Sequence, residues 1–139
     1  TNAFPIFKKY DIPFVIYLTA GLPDRRVALW WYIIEEIILS NESIELTDGS
    51  YYSCQNRAEK TETFMLLRNK IMKLSTIHFE DELKNLFANY SIDYTQKTYE
   101  LGLSWEQITE VSNTGLCTVA AHSVSHRTLN LLNEEDLVN

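Results

Sequence analysis

The chain lacks the features that mark several common classes of protein. Its two cysteines, Cys54 and Cys117, form no Cys-x-x-Cys pair, so the sequence does not support a cysteine-type zinc site and leaves a disulfide between them open. Acidic residues outnumber basic ones by 19 to 12, which argues against a nucleic-acid partner and provides no polybasic segment for a membrane surface. No apolar run is long enough to span a bilayer, and the N-terminus has no signal-peptide pattern.

The length and the apolar content indicate one folded domain. A chain of 139 residues fits a single domain, and a hydrophobic content of 45% is enough for a sizeable core. The net charge of −7 favours solubility and by itself identifies no partner.

The most informative segment is residues 121–126, where two of the three histidines lie four residues apart. The preceding residues predict a short buried strand, so His122 and His126 follow its end. Imidazole is the commonest protein ligand for first-row metals, and the i, i+4 spacing predicts that both rings lie on one face of a helical turn, where they can reach one ion. The same pair can also be plain surface residues, because two ligands do not complete a zinc site. The third histidine, His78, is predicted to be a surface or capping residue.

Apolar segments alternating with helical ones predict an α/β architecture. Residues 13–18 form a nearly continuous β-branched and aromatic run, typical of a strand that is covered on both faces. Helices are predicted on either side of it, over residues 2–10 and 27–40.

A further helix precedes the histidines. Ser104 and Gln107 form a capping-box pattern at its start, and Gly115 follows its end, directly before the strand that leads to His122. Strands and helices in series predict parallel strands. Functional residues at the C-terminal end of such a strand suit the mouth of a barrel or of an open parallel sheet.

The middle of the chain, from about residue 41 to residue 99, has the character of an inserted subdomain. Two short alternating segments flank Asp48-Gly49, a dipeptide that is typical of a tight hairpin turn. Amphipathic helices are predicted after the hairpin, over residues 58–74 and 79–90. No catalytic constellation is evident in this region, and Trp30 and Trp31 before it are interpreted as core residues rather than as a sugar-stacking platform.

Both ends of the chain resemble one known family. The segments LSWEQI (103–108) and AHSVSH (121–126), with Gly115 between them and Leu129 after them, resemble the second motif region of polysaccharide deacetylases. This is the NodB-homology family, also called carbohydrate esterase family four, and its metal motif His-[Ser/Thr]-x-x-His is matched in full. Residues 3–18 are similar to the helix and second strand that follow the family's first motif.

The resemblance implies a single partial deacetylase domain over residues 1–139. The implied fold is a portion of a distorted (β/α) barrel of the glycoside hydrolase and deacetylase type, with the hairpin and helices of residues 41–99 inserted into it. The family's Thr-Phe-Asp-Asp motif, which holds the catalytic base and a metal-binding aspartate, is expected upstream of Thr1. Its Arg-x-Pro-Tyr and Leu-x-His motifs are expected beyond Asn139, and the chain also begins without an initiator Met. We therefore expect a fragment that is inactive by itself.

The resemblance also implies the chemistry of the parent protein, a hydrolase that removes N-acetyl or O-acetyl groups from a polysaccharide or oligosaccharide. His122 and His126 bind a divalent metal, zinc or alternatively cobalt or nickel, while Ser123 orients the loop. The base aspartate and the acid histidine lie outside the fragment, and the local sequence around Asp11, Asp24 and Asp136 does not match the first motif. The implied organism is bacterial, with the compartment left open between the cytoplasm and the cell envelope.

The competing interpretation is a binding or scaffold domain without catalysis, in which the two histidines are incidental. In either case, a barrel fragment has open sheet edges, and such edges tend to pair with another chain. We therefore expect self-association into a homo-oligomer, or dependence on a partner.

Overall fold

The structure, a computed structural model, describes residues 3–74, 78–127, Leu132 and Glu134. The elements in chain order are α1 (Ala3–Lys9), β1 (Phe14–Leu18), α2 (Trp30–Ser40), β2 (Ser43–Glu45), β3 (Tyr51–Ser53), α3 (Arg57–Ile71), α4 (Phe79–Leu86), α5 (Tyr94–Leu101), α6 (Trp105–Ser112) and β4 (Cys117–Ala121). This composition confirms a mixed α/β chain. No helix in the described part is both long and apolar enough to cross a membrane. Leu129 and Asp136 lie outside the described residues.

The two apolar strands pair in parallel, as the alternation of strands and helices predicted. Phe14 is opposite Cys117 and Leu18 is opposite Ala121, so the pair is in register over its whole length. On the N-terminal side, the rings of Phe4 and Phe7 in α1 pack against the ring of Phe14, with centroids 6.3 and 4.8 Å away. Within the described residues β1 and β4 pair only with each other, so the sheet has two strands and closes no barrel.

The prediction that β1 is covered on both faces is wrong for the described residues. Val15 is 49% exposed and Tyr17 is 68% exposed. Side chains alternate between the two faces of a strand, so Phe14 meets α1 while Val15 and Tyr17 point to the other side. Their partners across the pair are Thr118, which is exposed, and Ala120. The face of the strand pair that bears Val15 and Tyr17 is therefore uncovered and has no charged residue, and on the opposite face Val119 is 38% exposed.

The hairpin and helices in the middle of the chain enclose the main core. β2 and β3 pair antiparallel around Asp48-Gly49, and Gly49 adopts a φ of +82°, which confirms the predicted turn. α2 and α3 confirm the predicted helices and pack against this hairpin. The buried apolar cluster comprises Ala28, Ile33, Ile34, Ile37, Ile38, Ile44, Leu46, Cys54, Leu67, Ile71, Phe79, Leu83, Leu86 and Phe87.

α2 begins at Trp30 rather than at residue 27 and α3 ends at Ile71 rather than at residue 74, and two further helices differ from the sequence prediction. α4 ends at Leu86 rather than at Tyr90, because the backbone N–H of Thr47 donates to the carbonyl of Leu86 and its hydroxyl donates to that of Asn85. α5 was not predicted. It begins after Asp93, whose carboxylate accepts hydrogen bonds from the backbone of the following residues, and it has one buried residue, Thr98.

The chain forms two compact units. The strand-pair unit comprises Thr98–His126 and the described residues before Ala28, and it contains α1, β1, α6 and β4. The core unit comprises Ala28–Lys97 and the described residues from Arg127 onward, and it contains every member of the buried apolar cluster. Both cysteines are buried and free, Cys117 in the first unit and Cys54 in the second.

Candidate metal centre

The histidine pair lies at the carboxyl end of the parallel strands, in the strand-pair unit. His122 directly follows β4, and its backbone N–H donates to the carbonyl of Leu18 at 2.8 Å, so the ladder continues past the last strand residue. His126 lies four residues further along, and both side chains are exposed. This is the edge at which parallel α/β sheets bind their ligands.

The two imidazole rings are in edge-to-face contact. Their centroids are 5.0 Å apart and the ring planes meet at 69°. Tyr17, on the uncovered face of β1, places its ring 6.4 Å from that of His122. The uncovered face of the strand pair therefore leads to the histidine pair, with an exposed phenol beside it.

The ring separation agrees with shared coordination of one ion. Imidazoles bind zinc through a nitrogen about 2.1 Å from the metal, and two such rings on a tetrahedral ion have centroids roughly 5 Å apart. The observed 5.0 Å matches this value, and it is also a common separation for rings in edge-to-face contact. His122 and His126 thus fit two positions of a zinc site.

The described residues provide no third ligand. They contain no group of three or more His, Cys, Asp or Glu residues that could hold a metal ion. His78 lies in the core unit, at the N-cap position of α4, where its side chain makes no capping hydrogen bond. Catalytic zinc takes three protein ligands, so a zinc site at this histidine pair would need at least one further ligand.

The loop that carries the histidines has an unusual backbone. Ser123 and His126 adopt φ values of +62° and +56°, in the left-handed region that residues other than glycine rarely occupy. The hydroxyl of Ser123 accepts a hydrogen bond from the backbone N–H of His126 at 3.0 Å. Such conformations persist only where neighbouring groups hold them, and they are concentrated at functional sites.

Sequence reasoning missed the segment that holds this loop. Thr19, Ala20 and Gly21 follow β1 directly and hydrogen-bond to the backbone of His122, Ser123 and Val124. Their position immediately after a predicted parallel strand was an available signal, because residues at the C-terminal ends of such strands build ligand sites. The sequence alone did not show which strand lies beside β4.

A second polar cluster in the same unit ties the β1 loop to the following helices. The indole N–H of Trp105 donates to the carboxylate of Asp24 at 2.8 Å, and this bond, followed by that from Arg26, lowers the pKa of the carboxyl group. Arg25 stacks on the ring of Tyr99 at 4.7 Å and donates to the carbonyl of Gly102 at 3.2 Å. Asp24 is thus engaged in structural contacts, in keeping with its exclusion from the catalytic roles.

Comparisons of the whole chain with protein-family models, with curated proteins and with solved structures return no match.

Proposed function

We propose that this chain carries the metal-histidine half of a polysaccharide deacetylase active site. The observation that supports this proposal most directly is the pair of exposed imidazoles, 5.0 Å apart, at the carboxyl end of two parallel strands. The sequence context supports the same proposal, because His122, Ser123 and His126 match the family's metal motif. The substrate class is then an acetylated polysaccharide or oligosaccharide.

The parts of the site have separate roles in this proposal. His122 and His126 bind a divalent ion through their neutral imidazole nitrogens, and zinc is the first candidate for this ion. When bound, the ion supplies Lewis acidity to an acetyl carbonyl and lowers the pKa of a water molecule. Ser123 accepts the N–H of His126 and thereby fixes the turn between the two ligands. A third ligand, the base aspartate and the acid histidine are proposed to come from outside these 139 residues.

The uncovered face of β1 and β4 is part of the same proposal. Parallel strands are almost always covered on both faces. Here the face that bears Val15 and Tyr17 is exposed, and none of the strand residues on it is charged. This face continues to the histidine pair. In a (β/α) barrel of the deacetylase type, further strands would extend both edges and enclose this face. The mouth of the barrel would then surround the metal.

Calorimetric titration with zinc and with cobalt tests the metal half of the proposal. We expect binding with a Kd of about 1 to 100 μM, since two imidazoles form an incomplete site. The double variant His122→Ala/His126→Ala should lose this binding, whereas His78→Ala, which removes the remaining exposed histidine, should keep it. Equal binding by all three chains would contradict the proposal and favour the interpretation as a scaffold domain with incidental histidines.

An activity measurement tests the enzymatic half. A chain extended upstream into the expected Thr-Phe-Asp-Asp motif, and downstream into the later motifs, should release acetate from an N-acetylated or an O-acetylated oligosaccharide in the presence of zinc. His126→Ala in that longer chain should reduce the rate at least a hundredfold, because the ion supplies most of the electrostatic stabilisation. Acetate release that is unaffected by this substitution would contradict the assigned role.

A further inference from the structure

Four hydrogen bonds, three of them between backbone groups and one from a side chain, fix the histidine loop to the end of β1. The N–H of His122 donates to the carbonyl of Leu18, and the N–H groups of Ala20 and Gly21 donate to the carbonyls of Ser123 and Val124 at 3.2 and 2.8 Å. The fourth link is the hydroxyl of Thr19, which donates to the carbonyl of His122 at 3.1 Å. The segment from Thr19 to Gly21, called the template below, therefore holds the backbone between the two histidines in place through hydrogen bonds.

Gly21 is the closest point of this contact. A Cβ atom at this position would lie 2.5 Å from the carbonyl oxygen of Val124 and 2.5 Å from Cγ2 of Val27. The backbone of Gly21 is not in the left-handed region, so glycine is required here for space rather than for conformation. Because Val124 is two residues from His126 and its oxygen belongs to the backbone, any side chain at residue 21 must displace the histidine loop.

Thr19 is the buried polar member of the template. It is 3% exposed, and its hydroxyl donates a hydrogen bond to the carbonyl of His122. Buried hydroxyl groups are costly unless they are hydrogen-bonded, so the bond holds both partners in place. It fixes the backbone of His122 at the point where the chain enters the left-handed residue Ser123.

We propose that Thr19 and Gly21 are positioning residues for the histidine pair. They hold the loop in the backbone conformation that brings the ring centroids of His122 and His126 to 5.0 Å, and neither residue is assigned as a metal ligand. The prediction for metal affinity rests on the proposed function, whereas the prediction for the distance between the rings does not.

Gly21→Ala tests the steric role that is proposed for Gly21. Gly102→Ala is a matched control in the same unit. A Cβ at Gly102 would meet the carbonyl oxygen of Thr98 at 2.7 Å and the guanidinium of Arg25 at 2.8 Å, away from the histidines. Both variants should lower the Tm. Gly21→Ala should also weaken zinc and cobalt binding about tenfold or more, the usual effect of losing a group that orients a ligand. Gly102→Ala should bind within about twofold of the unmodified chain.

Thr19→Val tests the role of the Thr19 hydroxyl without a large change of side-chain volume. Its control is Thr98→Val, because Thr98 is 1% exposed and its hydroxyl likewise donates to a backbone carbonyl, that of Val27 at 3.0 Å. Thr19→Val should weaken metal binding about two- to tenfold, the value of one hydrogen bond. Thr98→Val should leave it unchanged, and Thr19→Ser, which retains the hydroxyl, should restore it.

NMR of the imidazole ring protons separates this proposal from the proposed function. Cross-relaxation between the rings of His122 and His126 should be visible in the unmodified chain and lost in Gly21→Ala and Thr19→Val, with the control variants unaffected. Absence of metal binding with this NMR pattern would contradict the metal proposal alone. Retention of the ring contact and of normal metal affinity in both test variants would overturn the positioning roles, as would equal losses in test and control variants.

Discussion

The two compact units differ in how completely each encloses a buried apolar core. Every member of the main buried cluster lies in the core unit, where the hairpin, α2, α3 and α4 close around it. The strand-pair unit has few buried apolar residues, such as Ile108, Val111 and Cys117. Of the fifteen large hydrophobic residues that are exposed among the described residues, it holds ten. The unit with the candidate site is therefore the less complete one, as expected if its strands belong to a larger sheet, and the unit without a site has a closed core.

The largest effect that tests this comparison is a truncation in the core unit. Leu67 is fully buried, while its neighbour Leu66 on the same helix is 46% exposed. Leu67→Ala should lower the free energy of unfolding by about 2 to 5 kcal/mol, because it removes buried methyl groups and leaves a cavity. Leu66→Ala should change it by less than about 1 kcal/mol. Urea unfolding followed by circular dichroism gives both values, and similar losses would show that the core is not closed as described.

A smaller effect is expected at the uncovered face of the strand-pair unit. Open strand edges and an uncharged exposed face promote association, so the chain should self-associate in light scattering. Val15→Lys introduces a charge on this face and should weaken self-association about tenfold or more.

Met65→Lys is the matched control for that experiment. Met65 is 48% exposed, almost the same as Val15 at 49%, and it lies on α3 of the core unit. This variant should associate as the unmodified chain does. A monodisperse monomer for the unmodified chain, or equal weakening by both lysines, would contradict the role assigned to the uncovered face.

The smallest effect concerns the hairpin of the core unit in acid. The hydrogen bond from Lys70, followed by those from Ser50, lowers the pKa of Asp48 from 3.8 to about 2. A carboxyl group whose pKa is lower in the folded state stabilises the fold above its unfolded pKa, and this contribution is lost as the pH falls through the folded value. The Asp48–Lys70 contribution should therefore disappear between about pH 4 and pH 2.

Asp48→Asn tests this pH dependence without changing the turn, because Asn-Gly forms the same type of turn. Unfolding midpoints measured from pH 6 to pH 2 should fall less steeply for this variant than for the unmodified chain. Lys70→Gln removes the main cause of the shift and should flatten the curve in the same way. An unchanged slope in both variants would show that the ion pair is not formed in solution.

Local chemistry in the sequence predicted much of the fold. Asp48-Gly49 predicted the hairpin and the Ser104–Gln107 capping box predicted the start of α6, because each signal acts within a few residues. α5 lacked an apolar stripe, so only the capping residue Asp93 marked it. The end of α4 depends on Thr47, far away in sequence, and a local pattern carries no information on such a contact.

The candidate site divides in the same way. The spacing of His122 and His126 predicted a shared ligand site on a helical turn. The rings are 5.0 Å apart, but residues 122–126 form a loop that is not helical, so the predicted turn is wrong while the shared site stays a prediction. The position of Thr19 and Gly21 after a predicted parallel strand was a signal for a ligand-binding edge, but their contact with the histidine loop was not predictable, because it depends on which strand lies beside β4. The left-handed backbone of Ser123 was also not predictable, because serine has no local preference for that region.

The parallel pairing of β1 with β4 has a consequence for the order of folding. Phe14 and Cys117 are neighbours in the sheet although most of the chain lies between them, so their pairing must close a very long loop. Contacts within residues 28–97 are closer in sequence and can form first, and a compact intervening segment shortens the effective loop. We therefore expect the histidine pair to assemble late in folding, after the core unit has condensed.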